Sequence, residues 1–177
     1  NKENFKKNHG LDVTVEAVLE KNPARAKDLG IPEDAVASSI EEVVCNPAVD
    51  IVVEVIGGVE PAKTFVLKAL KSGKTVVTSN KELFAKHWPE LERAAKSMRA
   101  GLFFEASCVG GVPIIRTLTE SMQGNKLLSI KGIINGTTNY ILTKRTNEGS
   151  SYEEALKEAQ KLDRGIHIPL NLKKFIF

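Results

Sequence analysis

The sequence predicts an α/β fold: a doubly wound, mostly parallel sheet with helices on its faces, followed by a smaller α+β region. Three observations predict it. Between residues 11 and 106, short β-branched runs alternate with segments whose apolar residues recur at the helical period, a pattern that argues for parallel strand–helix–strand units with right-handed crossovers. Glycine, proline and asparagine stand where those segments should end. Beyond Gly111 the character changes, with helical periods on either side of one long strand-like run.

After a polar start, LDVTVEAVLE (residues 11–20) alternates β-branched with polar residues and reads as a strand. Asn22 then caps, and Pro23 opens, a helix across ARAKDLG that Gly30 stops. Ser38 or Ser39 caps a short helix through Glu41 and Glu42 to Val44, broken by Asn46 and Pro47. Residues 50–56 form the second strand. Pro61 opens a helix whose face carries Phe65, Val66, Ala69 and Leu70, and Gly73 ends it. KTVVTSN is the third strand, and KELFAKH with WPELERAAKSM is helical up to Gly101. LFFEA, the fourth strand, is apolar enough to predict burial on both faces. A helix in VPIIRTLTESMQG, a long strand in KLLSIKGIIN and two helices in GTTNYILTKRTNEG and SYEEALKEAQKL follow. The change of domain is expected near residues 108–113, dividing the chain into 1–108 and 109–177.

The 177 residues, 42% hydrophobic and 27% charged, have the composition of an ordinary soluble globular chain. No apolar run approaches the roughly 20 residues of a membrane helix. The net charge of +3 is spread along the chain, which gives no nucleic-acid footprint. Cys45 and Cys108 stand in no metal-ligand spacing and make no disulfide framework, so a reducing, cytoplasmic setting is expected. Neither end reads as a signal peptide or an anchor.

In open α/β sheets ligands bind beyond the carboxyl ends of the strands, and three such edges stand out. At Ile56, Gly57 and Gly58 a glycine pair either makes a plain turn or lets the backbone approach a dinucleotide closely. At residues 78–81, Lys81 is either a solvated lysine in a helix's first turn or a hydrogen-bond donor to a substrate oxygen in a partly desolvated crevice. EASCVGGVP, from Glu105 to Pro113, could turn carbonyl oxygens toward a hard cation, or serve as an interdomain hinge. Cys108 in that elbow is a nucleophile or an inert small residue. A fourth place, Asn135, Gly136 and Thr137, either caps a helix or offers donors to a small polar substrate. His9, His87 and His167 are scattered and read as surface or packing residues.

Taken in order, EVIGG, TVVTSNKELFAKH, FFEASCVGGVPII and GIINGTTNYIL resemble one family, homoserine dehydrogenase, over about residues 11–162. That resemblance implies NAD(P)-dependent interconversion of L-aspartate 4-semialdehyde and L-homoserine, in threonine and methionine biosynthesis. It implies a Rossmann-type cofactor domain followed by an α+β substrate and dimerisation domain, both partial here, and a homodimer. By the same resemblance Ile56, Gly57 and Gly58 line the nicotinamide cofactor, and Lys81 is the active-site lysine at cofactor and substrate. Glu105, Cys108, Gly110 and Val112 surround a sodium ion, chiefly with backbone oxygens, and Asn135, Gly136 and Thr137 belong to the substrate domain.

The sequence departs from the family's pattern at both ends. The family begins with a strand and a glycine-rich phosphate loop, whereas nothing before Leu11 is glycine-rich, so the first βα element of the sheet is expected to be lacking. The family continues with GYxExDP and DxxGxDxxxK; here Gly165 matches a glycine, but His167 stands for Asp and Asn171 for Lys, with Lys173 and Lys174 out of register. Weak or no turnover is therefore expected of this stretch by itself. Glu20 suits a ribose hydroxyl and NAD; Lys21 suits a 2′-phosphate, and the balance favours NADP. Two alternatives stay open: an acylating semialdehyde dehydrogenase using Cys108, and a noncatalytic binding or dimerisation module.

Overall fold

Residues 2–109, 111–133 and 135–162 are described by a computed structural model, and they fall into two units, one up to Gln123 and one from Gly124. The first opens with a helix that the polar start did not announce, α1 (Lys2–His9). It buries no residue. Glu3 in its first turn and Lys6, Lys7 and His9 in its last match the helix dipole, and Lys2 and Lys6 reach Asp12 at 3.2 and 3.6 Å.

The strand expected over residues 11–20 shrinks to β1 (Val18–Leu19), paired in parallel with β2 (Val36–Ala37). Residues 11–16 are exposed and have no ladder partner among the described residues; alternation marks strand potential, but a ladder needs a neighbour. Between those strands lies α2 (Pro23–Asp28), where the Asn22 side chain accepts from the Ala24 amide as the cap. In α3 (Ile40–Cys45) Ser39 is the cap, accepting from the Glu42 amide.

The second sheet runs β3 (Ile51–Glu54), β4 (Thr75–Thr78) and β5 (Leu102–Phe103), all parallel, with Glu54 beside Thr78 and Val77 beside Phe103. α4 (Ala62–Lys71) and α5 (Lys81–Met98) pack on each other and on one face of it. Val66 and Leu70 of α4, Val76 of β4 and Leu83 and Leu91 of α5 are at most 1% exposed, worth about 1.5–3 kcal/mol each for the larger side chains. Phe104 stacks on Phe84 at 4.5 Å. The other face is bare: Ile51, Val53 and Phe103 are more than half exposed. Burial of the fourth strand on both faces is thus corrected, because the described helices cover only one side.

After β5 come a 3-10 turn (Glu105–Ser107), a short helix α6 (Ile114–Arg116) and its widened continuation Thr117–Ser121. The second unit is a helical hairpin, α7 (Gly136–Glu148) and α8 (Tyr152–Leu162), closed by Ile141, Ala155 and Ala159. Lys144 sits between Glu148 and Glu158 at 3.0 and 3.2 Å. The long strand expected over KLLSIKGIIN is absent from its described residues. Leu127, Leu128, Ile130 and Ile133 are exposed and nothing described pairs with them, so the run again lacks a ladder. Among the described residues no helix is long and apolar enough to cross a membrane.

Candidate functional site

Three parallel strands end side by side, about 4.8 Å apart, so the elbows after β3, β4 and β5 share one edge. Glu54 closes β3 and is only 4% exposed. Its carboxylate accepts from the Ile56 amide at 2.8 Å, the Gly57 amide at 3.2 Å, Thr78 Oγ1 at 2.5 Å and Asn80 Nδ2 at 3.5 Å. Four donors compensate the loss of water around a buried carboxylate. Asn80 Nδ2 also donates to the Gly58 carbonyl at 2.6 Å, and Asn80 Oδ1 caps α5 by accepting from the Leu83 amide at 3.1 Å. The Asn80 amide donates to Thr78 Oγ1.

The elbow itself is built for close approach. Gly57 and Gly58 have φ of +80° and +68°, a region that favours glycine. A side-chain carbon built on either would meet nothing within 4 Å, and Ile56 beside them is half exposed. The space beside the glycine pair is therefore open.

Lys81 is the first residue of α5 and is exposed. Glu82 next to it is taken by Lys86, so among the described residues the Lys81 ammonium has no carboxylate partner. A cation at a helix N-terminus is disfavoured by the dipole and gains from an anionic or polar ligand oxygen.

The third elbow packs against β4. Both oxygens of the Glu105 carboxylate cap α6, accepting from the amides of Ile115 at 2.9 Å and Arg116 at 2.8 Å. Cys108 is half-buried; its sulfur lies 3.7 Å from Ser107 Oγ, which itself donates to the Phe104 carbonyl. No histidine accompanies it among the hydrogen bonds of the described residues. Val109 has φ of +34° and Val112 is half exposed; Gly110 lies outside the described residues. Among the described residues no group of three or more acidic, histidine or cysteine side chains could hold a metal, so a cation here would rest on backbone oxygens. The Glu105 carboxylate is engaged in the cap, and its carbonyl accepts from the Cys108 amide at 3.1 Å.

Lys21 follows β1 and is exposed, while the Glu20 carboxylate accepts from the Asn22 amide at 3.0 Å. In the second unit Asn135 caps α7, its Oδ1 accepting from the Thr138 amide at 2.8 Å, with Gly136 and Thr137 in the first turn. His167, like Gly165, Asn171, Lys173 and Lys174, lies outside the described residues.

Sequence reasoning missed Glu54 and the side-chain bonds of Asn80. One signal was present: a single carboxylate inside the apolar run IVVEVI, which must find donors if that run is a buried strand.

Comparison with known proteins adds a second line of observation. A family model described as "Homoserine dehydrogenase, NAD binding domain" matches residues 2–105, and one described as "Homoserine dehydrogenase" matches residues 113–165. The chain is 45% identical to the homoserine dehydrogenase of Bacillus subtilis over 153 residues, covering 86% of this chain and 35% of the relative. It is 38% identical to that of Lactococcus lactis over 174 residues, 97% of this chain and 40% of the relative. Among solved structures, a homoserine dehydrogenase from Thiobacillus denitrificans superposes with a TM-score of 0.83 at 38% identity, over 96% of this chain and 39% of that one. A hyperthermophilic archaeal homoserine dehydrogenase in complex with NADPH gives 0.74 at 29% identity, over 91% and 56%. The chain spans roughly a third to two fifths of the length of these curated relatives.

Proposed function

Because the chain belongs to the homoserine dehydrogenase family, we propose that it supplies the nicotinamide wall and part of the substrate wall of a site interconverting L-aspartate 4-semialdehyde and L-homoserine. The observation that carries this is the bond from Asn80 to Gly58, which ties the glycine elbow to the turn bearing Lys81. A dinucleotide, when bound, supplies or takes the hydride. Ile56 gives it an apolar seat, and Gly57 and Gly58 leave space for the ring. Lys81 would donate a hydrogen bond to the substrate's carbonyl oxygen and stabilise the negative charge that gathers there as the carbonyl is reduced. Asn135, Gly136 and Thr137 would offer backbone and side-chain polar groups to the substrate.

The cofactor reading favours NADP. Glu20 is turned onto the Asn22 amide, while Lys21 is free to meet a 2′-phosphate; the archaeal relative was solved with NADPH. A sodium ion would take oxygens from Glu105, Cys108, Gly110 and Val112, and the protein would act as a homodimer in threonine and methionine biosynthesis.

The reading is tested by incubating the chain with NADPH and L-aspartate 4-semialdehyde and following loss of NADPH absorbance. Slow, semialdehyde-dependent oxidation that Lys81→Ala removes is expected. No binding of NADPH and no oxidation overturns it, as does turnover that survives Lys81→Ala and is lost in Cys108→Ser.

A further inference from the structure

Glu54 is a buried carboxylate for which the reaction itself gives no use, and its hydrogen bonds fix the polarity of the elbow. A trans peptide is planar, with its N–H and C=O pointing in opposite directions. The Ile56 and Gly57 amides both point inward to Glu54 Oε1. The carbonyls of the same two peptide groups, those of Val55 and Ile56, therefore point outward. Neither accepts a backbone hydrogen bond in the turns of the described residues, whereas the Gly58 carbonyl is taken by Asn80. The elbow thus offers acceptors, not the amide donors that a glycine pair suggests, and it suits a ligand edge carrying N–H groups.

We propose that Glu54 is a positioning residue: by drawing the Ile56 and Gly57 amides inward it presents the Val55 and Ile56 carbonyls as acceptors for the cofactor's carboxamide N–H, and through Thr78 and Asn80 it holds that elbow against the Lys81 turn. The placement supports this over plain strand filling. Every other side chain from Ile51 to Ile56 is apolar, and a fitting apolar residue at a buried charge's position is often neutral or stabilising. All four donors to Glu54 lie at the carboxyl edge of the sheet, two on each elbow. The acceptor role rests on the cofactor reading above; the inward turn of the two amides does not.

The test compares NADPH with its 3-acetylpyridine analogue, in which a methyl ketone replaces the carboxamide and removes the N–H donors. Binding to the full chain is measured by calorimetry for the unaltered protein, Glu54→Gln and Glu54→Leu, with amide exchange at Ile56 and Gly57 followed by NMR. The unaltered protein should prefer NADPH by about tenfold, the value of one net hydrogen bond. Glu54→Gln, which can still accept the two amides and donate to Thr78 Oγ1, should keep that preference within about threefold. Glu54→Leu should lose the preference and the slow exchange together. Equal binding of the two dinucleotides by the unaltered protein overturns the proposal without needing any variant to fold, as does a folded Glu54→Leu that keeps the preference. If neither dinucleotide binds, the cofactor reading fails and takes the acceptor role with it, and fast exchange at Ile56 and Gly57 in the unaltered protein would remove the lock as well.

Discussion

Asn80 Nδ2 donates to the Gly58 carbonyl across 2.6 Å, while its Oδ1 holds the Leu83 amide at 3.1 Å. One side chain, 5% exposed, thereby joins the turn after β3 to the first turn of α5. Asn80→Ala should cost about 2 kcal/mol, since a cap and a buried hydrogen bond go together. Asn80→Ser, which keeps a capping oxygen but cannot reach Gly58, should cost about half as much. Urea unfolding checks both, and equal losses would show that the Gly58 bond contributes nothing.

Lys81 is expected to act on the reaction more than on binding. Lys81→Ala should lower semialdehyde-dependent turnover by about 10²–10³-fold, the usual effect of deleting one donor to a developing oxyanion, and change NADPH affinity by less than about threefold. Rates and binding measured on the same preparation separate the two. A loss confined to NADPH affinity would make Lys81 a cofactor ligand only.

Gly101 does not end the helix expected to stop there, since α5 closes at Met98 with Arg99 as its left-handed cap; it is instead a place of close packing. A side-chain carbon there would come 2.9 Å from the Phe103 ring and 3.0 Å from Thr75 Cγ2, so Gly101→Ala should destabilise the first unit by about 1–3 kcal/mol. Gly124→Ala meets nothing within 4 Å at an ordinary φ and should stay within about 0.5 kcal/mol of the parent. Thermal melts of the two variants provide the comparison.

The α7–α8 hairpin should respond to pH at both ends of the scale. The Glu158 carboxyl is held below its usual value by hydrogen bonds from Tyr140 and then Lys144, and the Lys144 ammonium is held well above its own by Glu148 and Glu158. A carboxyl lowered on folding stabilises above its unfolded value, and that contribution fades as the pH falls through the lowered folded value. A raised lysine stabilises below its unfolded value and loses this as the pH climbs through the raised one. The groups are solvent-facing, so both effects are small. The protection of the Ala155 and Ala159 amides, their exchange corrected for the base-catalysed intrinsic rate at each pH, should be greatest near neutral pH, with Glu158→Gln flattening the acid side; an unchanged acid side in that variant would remove the cause.

Most of what positions the site could be read from the residue pattern, because β3 and β4 are short apolar runs closed by glycine or asparagine and their elbows follow directly. What could not be read was pairing. Residues 11–16 alternate as strands do and 126–133 are rich in β-forming apolar residues, yet a strand is completed only by a neighbour, and among the described residues they have none. Phe103 was expected inside for the converse reason: apolar character marks what can be covered, not what covers it. Glu54 was legible as an anomaly in IVVEVI, but its consequence depends on which amides turn toward it, and only coordinates show that. Asn80 read as part of a strand end; its role comes from Gly58, 22 residues away.

The central claim is that the elbow at residues 56–58 and the Lys81 turn form two sides of one cofactor crevice. Titrating NADPH into isotopically labelled protein and following the backbone amides by NMR tests it most directly. The signals of Ile56, Gly57, Gly58 and Lys81 should move together along one saturable curve. Saturable shifts at the elbow with Lys81 unmoved, or shifts confined to residues outside both turns, would contradict it.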